Sequence, residues 1–78
     1  MPRGLNNWTA GAVIRFLKTR GFAQSHARGS HFYYKSKQGG RDRLVCVPVH
    51  GKNGLIAIGT MKGIVKQSGI SETEWRQE

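Results

Sequence analysis

The side chains of this 78-residue chain best suited to moving protons near neutral pH are its three histidines, His26, His31 and His50. Acidic residues are scarce, and Asp42 is the only one before position 72. This scarcity argues against paired carboxylates, two-metal nuclease sites and carboxylate-bridged metal centres. Cys46 is the single cysteine and has no base beside it in sequence, no Cys/His grouping has zinc-ligand spacing, and no Gly-rich loop precedes a Lys-Ser/Thr pair. The chemistry left is metal-free and cofactor-free cleavage of RNA by its own ribose. In that reaction the 2′-OH attacks the adjacent phosphodiester, which needs a proton carrier and cations beside the charge developing on phosphorus. His31 has the best surroundings for it. Gly29 lets backbone approach a phosphate, Ser30 offers an N–H and a hydroxyl, and Arg28, Lys35 and Lys37 lie close in sequence. The residues alone leave His31 open between a proton carrier and an ordinary strand residue. His26 and His50 sit at strand ends and read as structural, with His50 a second proton carrier only if the fold brings it near His31.

Charge points the same way. Thirteen Lys plus Arg against four Asp plus Glu give a net charge of +9, and cations at this density favour polyanions because neutralising phosphates releases counterions. A solvated basic surface is the plainer interpretation of the same composition. With 37% hydrophobic residues in 78, the chain supports one core and is expected to form a single domain over residues 1–78, without a dinucleotide fold or a two-domain cleft. The longest apolar run, Leu44-Val45-Cys46-Val47-Pro48-Val49, suits a buried strand and is far short of the roughly 18 residues of a membrane span. The start, Met1-Pro2-Arg3-Gly4, lacks the apolar centre of a signal peptide, so a reducing cytoplasm is the expected setting.

The elements that must hold these residues follow from periodicity. Ala10, Val13, Ile14 and Leu17 recur at i, i+3, i+4 and i+7, which predicts an amphipathic helix with Thr9 as its N-cap and Gly21 in a left-handed C′ position. Strands are predicted over 22–26, 30–37 and 43–49, with Gly29 in a tight turn and residues 38–42 as a hairpin connection. His31, Tyr33 and Lys35 share one face of the second strand, and Phe32 and Tyr34 pack on the other. Pro48 belongs at an edge or near the strand end. Residues 50–54 read as a loop. Met61, Ile64, Val65 and Ser68 then resume helical spacing before Gly69, and Ser71-x-x-Glu74 has capping-box spacing that opens one more turn carrying Trp75. The expected class is α+β: a three-stranded antiparallel sheet with both helices on one face and the other face open.

Three blocks in order, Arg28-Gly29-Ser30-His31, Val45-Cys46-Val47-Pro48-Val49-His50-Gly51 and the run from Gly59 to Ser71, together with the helix ending Lys18-Thr19-Arg20-Gly21-Phe22, resemble the HicA toxins over about residues 10–76. The resemblance implies a double-stranded-RNA-binding-domain-like α-β-β-β-α fold, a ribosome-independent mRNA interferase activity and neutralisation by a HicB antitoxin. The histidine essential to the family falls on His31. Phe32 stands where many members have a second histidine, Ile58-Gly59-Thr60 stands where they start a helix with Pro-Gly-Thr, and the hairpin loop over 38–42 is expected to be longer than usual for the family.

Two functions follow. The first is a metal-independent endoribonuclease toxin acting on mRNA, with His31 transferring protons and Arg28, Gly29, Ser30, Lys35, Lys37, Lys62 and Lys66 holding RNA. The alternative is a noncatalytic module that recognises double-stranded RNA through phosphate and 2′-OH contacts, in which Lys62 and Lys66 matter more than His31. A domain that only meets an acidic protein ranks behind both.

Overall fold

The computed structural model describes residues 4–38, 40–49 and 54–77, for residue 38 the backbone only. His50 and the end of the second family block lie outside the described residues. The order is α1 (Ala10–Thr19), β1 (Ala23–Arg28), β2 (His31–Gln38), β3 (Arg41–Pro48), α2 (Ile58–Ser68) and α3 (Glu72–Arg76), with one antiparallel sheet in the order β1-β2-β3. This is the α+β arrangement expected from the sequence, with helices packed on one sheet face and the other face open.

Local chemistry accounts for the helix ends. The Thr9 hydroxyl accepts the Ala12 N–H at 3.1 Å. At the far end Phe22 N–H donates to Leu17 O at 3.0 Å and Gly21 N–H to Lys18 O at 3.2 Å, with Gly21 at φ +86°, which is the full Schellman pair. Phe22 therefore belongs to the helix stop, where it is buried, and not to the first strand as predicted. β1 instead runs on to Arg28. Its six residues are all exposed, so no burial pattern marks it, and an extra residue at Ser25 shifts the register between Gln24↔Tyr34 and His26↔Tyr33.

α2 begins three residues before the apolar stripe. Ala57 makes no side-chain cap and Ile58 is exposed, so periodicity starts only at Met61, whereas the family block already placed a helix start at residue 58. At its C-terminus the Ser68 hydroxyl is an intermediary. It donates to Val65 O at 2.7 Å and accepts Ile70 N–H at 3.1 Å and Trp75 Nε1–H at 3.3 Å. Ser71 caps α3 by accepting Glu74 N–H at 3.4 Å.

The core lies between the helices and the Tyr34–Val45–Val47 face of the sheet. Trp8, Phe16 and Trp75 meet there, with Trp8 edge-on to Trp75 at 5.3 Å and Phe16 at 4.1 Å from Trp75. Each such side chain, once fully buried, contributes roughly 1.5–3 kcal/mol of transfer free energy. Phe32 and Tyr34 face this layer as expected. The β2–β3 ladder pairs Gln38 with Arg41, so β3 starts two residues earlier than predicted. Residues 38, 41 and 42 thus belong to the ladder, which corrects the expected hairpin loop over 38–42. Gly40, at φ +80°, takes a left-handed conformation that glycine adopts without steric cost.

Candidate active site on the open face of the sheet

His31 is the first residue of β2, immediately after the two-residue turn Gly29–Ser30. Arg28 pairs with His31 across that turn, and Gly29 has φ +57° at the first central position, which glycine adopts without steric cost. The turn is tied to the neighbouring strand as well, because Val49 N–H donates to Ser30 O at 2.7 Å. His31 is exposed. The imidazole thus sits on a rigid strand end with backbone fixed on both sides.

Residues directly opposite one another across an antiparallel ladder share a face. The open face therefore carries the row Arg28, His31, Pro48 and next to it the row His26, Tyr33, Cys46, followed by the pairs Lys35–Leu44 and Lys37–Asp42. His26 stacks on Tyr33, with ring centroids 4.4 Å apart and planes 10° from parallel, and Ser25 Oγ lies 3.0 Å from His26 Nδ1. The Tyr33 hydroxyl is held above the ordinary value of 10.0. The main cause is its hydrogen bond with the Cys46 thiol, followed by the charge on that group, with Arg28 pulling the other way.

α2 runs beside the outer edge of β3. One stripe of the helix, Met61, Ile64, Val65 and Ser68, enters the core. The adjoining stripe, Thr60, Gly63, Ile64 and Gln67, meets His31, Cys46 and Pro48 around an open pocket of ≈ 430 Å³. The outward N–H of Cys46, on the edge of β3 away from β2, donates to Gln67 Oε1 at 3.2 Å and fixes the helix to the strand.

The site residues expected from the sequence are all exposed, but they do not all gather. Arg28, Gly29, Ser30 and His31 form one cluster. Lys35 and Lys37 share the face of His31 but lie four and six residues along β2, about 13 and 20 Å away at ~3.3 Å per residue. Lys62 and Lys66 are not part of the pocket lining. At 3.6 residues per turn they fall about 130° around α2 from the lining stripe. The ion pairs Arg20–Glu74 and Arg76–Glu72, at 2.7 and 2.8 Å, involve the helices and leave the open face of the sheet untouched. Sequence reasoning missed Thr60, Gly63 and Gln67, whose only signal is a helical stripe adjoining the core stripe. It also missed the role of Cys46, for which sequence carries no signal at all.

A family model for the HicA toxin of bacterial toxin-antitoxin systems matches residues 11–70. The chain belongs to the HicA toxin family. The match spans most of α1, the whole sheet and α2, and so contains every residue around the His31 pocket. No curated protein and no solved structure matches the chain. Membership of the HicA family carries with it an antitoxin partner in general terms. Among the described residues of this HicA chain no three His, Cys, Asp or Glu side chains gather in a way that would hold a metal ion, and no described helix is long and apolar enough to cross a membrane.

Proposed function

We propose that this HicA family chain is a metal-independent endoribonuclease that cuts mRNA in the cytoplasm and is held inactive by a HicB-type antitoxin. The observation that carries the reading is the placement of His31: exposed, on a fixed strand end, opposite Arg28 and at the wall of an open pocket. The ribose 2′-oxygen attacks phosphorus, the bond from phosphorus to the 5′-oxygen breaks, and the products are a 2′,3′-cyclic phosphate and a 5′-hydroxyl. His31 carries a proton in this exchange, taking it from the 2′-OH or giving it to the departing 5′-oxygen. Arg28 stabilises the charge on the phosphoryl oxygens, and the Gly29–Ser30 backbone admits the phosphate closely.

The test is RNA cleavage in EDTA by the purified protein and its His31→Ala variant. The wild type is expected to leave 2′,3′-cyclic ends, and the folded variant to leave RNA intact, lose toxicity and still bind antitoxin. Equal cleavage by the two proteins ends the proposal. One observation favours the noncatalytic reading instead: Lys62 and Lys66 stand one helical turn apart on an exposed face outside the pocket, as in a helix lying against phosphates. That reading requires intact RNA after strongly salt-dependent binding, with Lys62 or Lys66 substitutions weakening binding more than His31→Ala.

A further inference from the structure

The pocket beside His31 has a chemistry that phosphate binding does not explain. Among the described residues its lining contains no lysine, arginine or carboxylate; beyond His31 the lining residues are Cys46, Pro48, Thr60, Gly63, Ile64 and Gln67. The cation is at the rim, where Arg28 pairs with His31 on the side away from Pro48. An uncharged, partly apolar pocket bordered by a cation suits the base of a nucleotide whose phosphate stays outside. Its ≈ 430 Å³ lies within the ~300–1,000 Å³ of small-ligand pockets. Pro48 and Ile64 supply apolar walls. Apart from its chain neighbours and its own helix backbone, no heavy atom of the described residues lies within 4 Å of where a Cβ on Gly63 would stand, so at that point the helix surface leaves space that a side chain would take.

One polar group in the pocket has a determined orientation. Gln67 Oε1 accepts the Cys46 backbone N–H, and only the oxygen arm of a carboxamide can do so. The arm left over is therefore the –NH2, a donor, on a residue that lines the pocket. With the ribose at His31 on the rim, the base edge that enters first carries the 4-substituent of a pyrimidine or the 6-substituent of a purine. A carbonyl there accepts from Gln67, whereas an amino group would set donor against donor.

We infer that this pocket is a nucleobase subsite in which Gln67 selects a keto base, uracil or guanine, on the nucleotide whose 2′-oxygen attacks. The inference rests on the endoribonuclease reading for its effect on cleavage, but not for binding. Gln67 is a specificity-determining residue, and Gln67→Glu is its sharpest probe: a glutamate still offers an oxygen to Cys46 N–H while turning an acceptor into the pocket.

The experiment uses four DNA strands, each with one ribonucleotide, rU, rG, rC or rA, together with ¹⁵N NMR titrations of the four nucleoside 3′-monophosphates. Wild type is expected to cut after rU and rG at least about tenfold faster than after rC and rA, the scale of one well-made base contact. Gln67→Glu is expected to reverse that ratio whatever its overall rate, an effect that a purely structural link to β3 would not produce. Uridine 3′-monophosphate is expected to shift the Gln67 side-chain amide and the Gly63 amide. Equal rates on all four strands in both proteins overturn the subsite while leaving the nuclease reading intact. If no strand is cut but the Gln67 amide responds to uridine 3′-monophosphate over its cytidine counterpart, the nuclease reading falls and the subsite stands. If neither cutting nor a shift at Gln67 is seen, both fall.

Discussion

Val49 N–H donates to Ser30 O at 2.7 Å, one residue beyond the His31↔Pro48 pair that ends the β2–β3 ladder. The carbonyl that receives it belongs to the residue just before His31, so the turn from β1 and the end of β3 jointly fix where the imidazole stands. Precise placement is what proton transfer requires, since the carrier has to be within hydrogen-bond reach of one oxygen of the substrate.

The turn itself is tested at Gly29. Its φ of +57° is strained for any residue with a Cβ, yet beyond its chain neighbours a Cβ there would find no heavy atom of the described residues within 4 Å. Gly29→Ala is expected to lose about 1–2 kcal/mol, the cost of a left-handed residue, and Gly29→Asn less. Thermal unfolding checks this. A loss well above that in Gly29→Ala would mean that contacts, not backbone conformation, fix the turn.

Gly69 has a comparable φ of +72°, but there a Cβ would stand 2.7 Å from Arg43 Nε and 2.9 Å from Cζ. Gly69→Ala is therefore expected to be more destabilising than Gly29→Ala, because the Arg43 guanidinium has to give way. Arg43→Ala in the same chain removes the excess, and the coupling read from the double-mutant cycle is the measurement. Arg43 Nε is buried without an acceptor among the described residues, so Arg43→Met alone is expected to be neutral or mildly stabilising.

The Ser68 hydroxyl, fully buried, serves Val65 O, Ile70 N–H and Trp75 Nε1–H together. Ser68→Ala leaves all three without that partner. A loss of about 2–3 kcal/mol is expected from buried polar groups left unsatisfied, a large part of the roughly 4–12 kcal/mol that a domain of this size has. A denaturant midpoint unchanged from wild type would contradict the assignment.

Much of this was legible in the sequence, for reasons that are local. The α1 stripe, the Gly21 stop and the opposite faces of Tyr33 and Tyr34 follow from periods of 3.6 and 2 residues alone. β1 was misplaced because its residues are exposed throughout and Ser25 breaks its alternation. The first turn of α2 was invisible to periodicity because Ile58, Gly59 and Thr60 are exposed. In the site, His31 and its turn were readable from adjacent residues. The pocket was not, since it forms where α2 meets β3, joined by Gln67 and Cys46 across 21 residues of sequence.

Both tyrosines titrate above the ordinary value of 10.0, Tyr33 through its Cys46 hydrogen bond and Tyr34 through burial. A folded-state value raised above the unfolded one gives stability that is intact below pH 10 and is lost as pH rises through the folded-state values. Phenolate absorbance is therefore expected to be less than half developed at pH 10, and Tyr34→Phe to flatten the stability loss above it. An absorbance midpoint at or below 10 would refute this.

Arg28 and Lys37 separate the local from the distant cations. Arg28 lies opposite His31, and Lys37 is six residues along the strand, paired with Asp42. Arg28→Gln is expected to slow cleavage by about tenfold or more, as losing a charge beside the reacting phosphate does, and Lys37→Gln by under about threefold. Equal effects at moderate salt would mean that the surface acts only through its overall charge.

The central claim is that His31 moves a proton in the bond-breaking step, and the single-turnover cleavage rate of His31→Ala against wild type in EDTA tests it most directly. With both proteins folded to the same extent, the account predicts a fall of about 10²–10⁴, the usual worth of a positioned acid–base group. Rates within threefold of one another would contradict it.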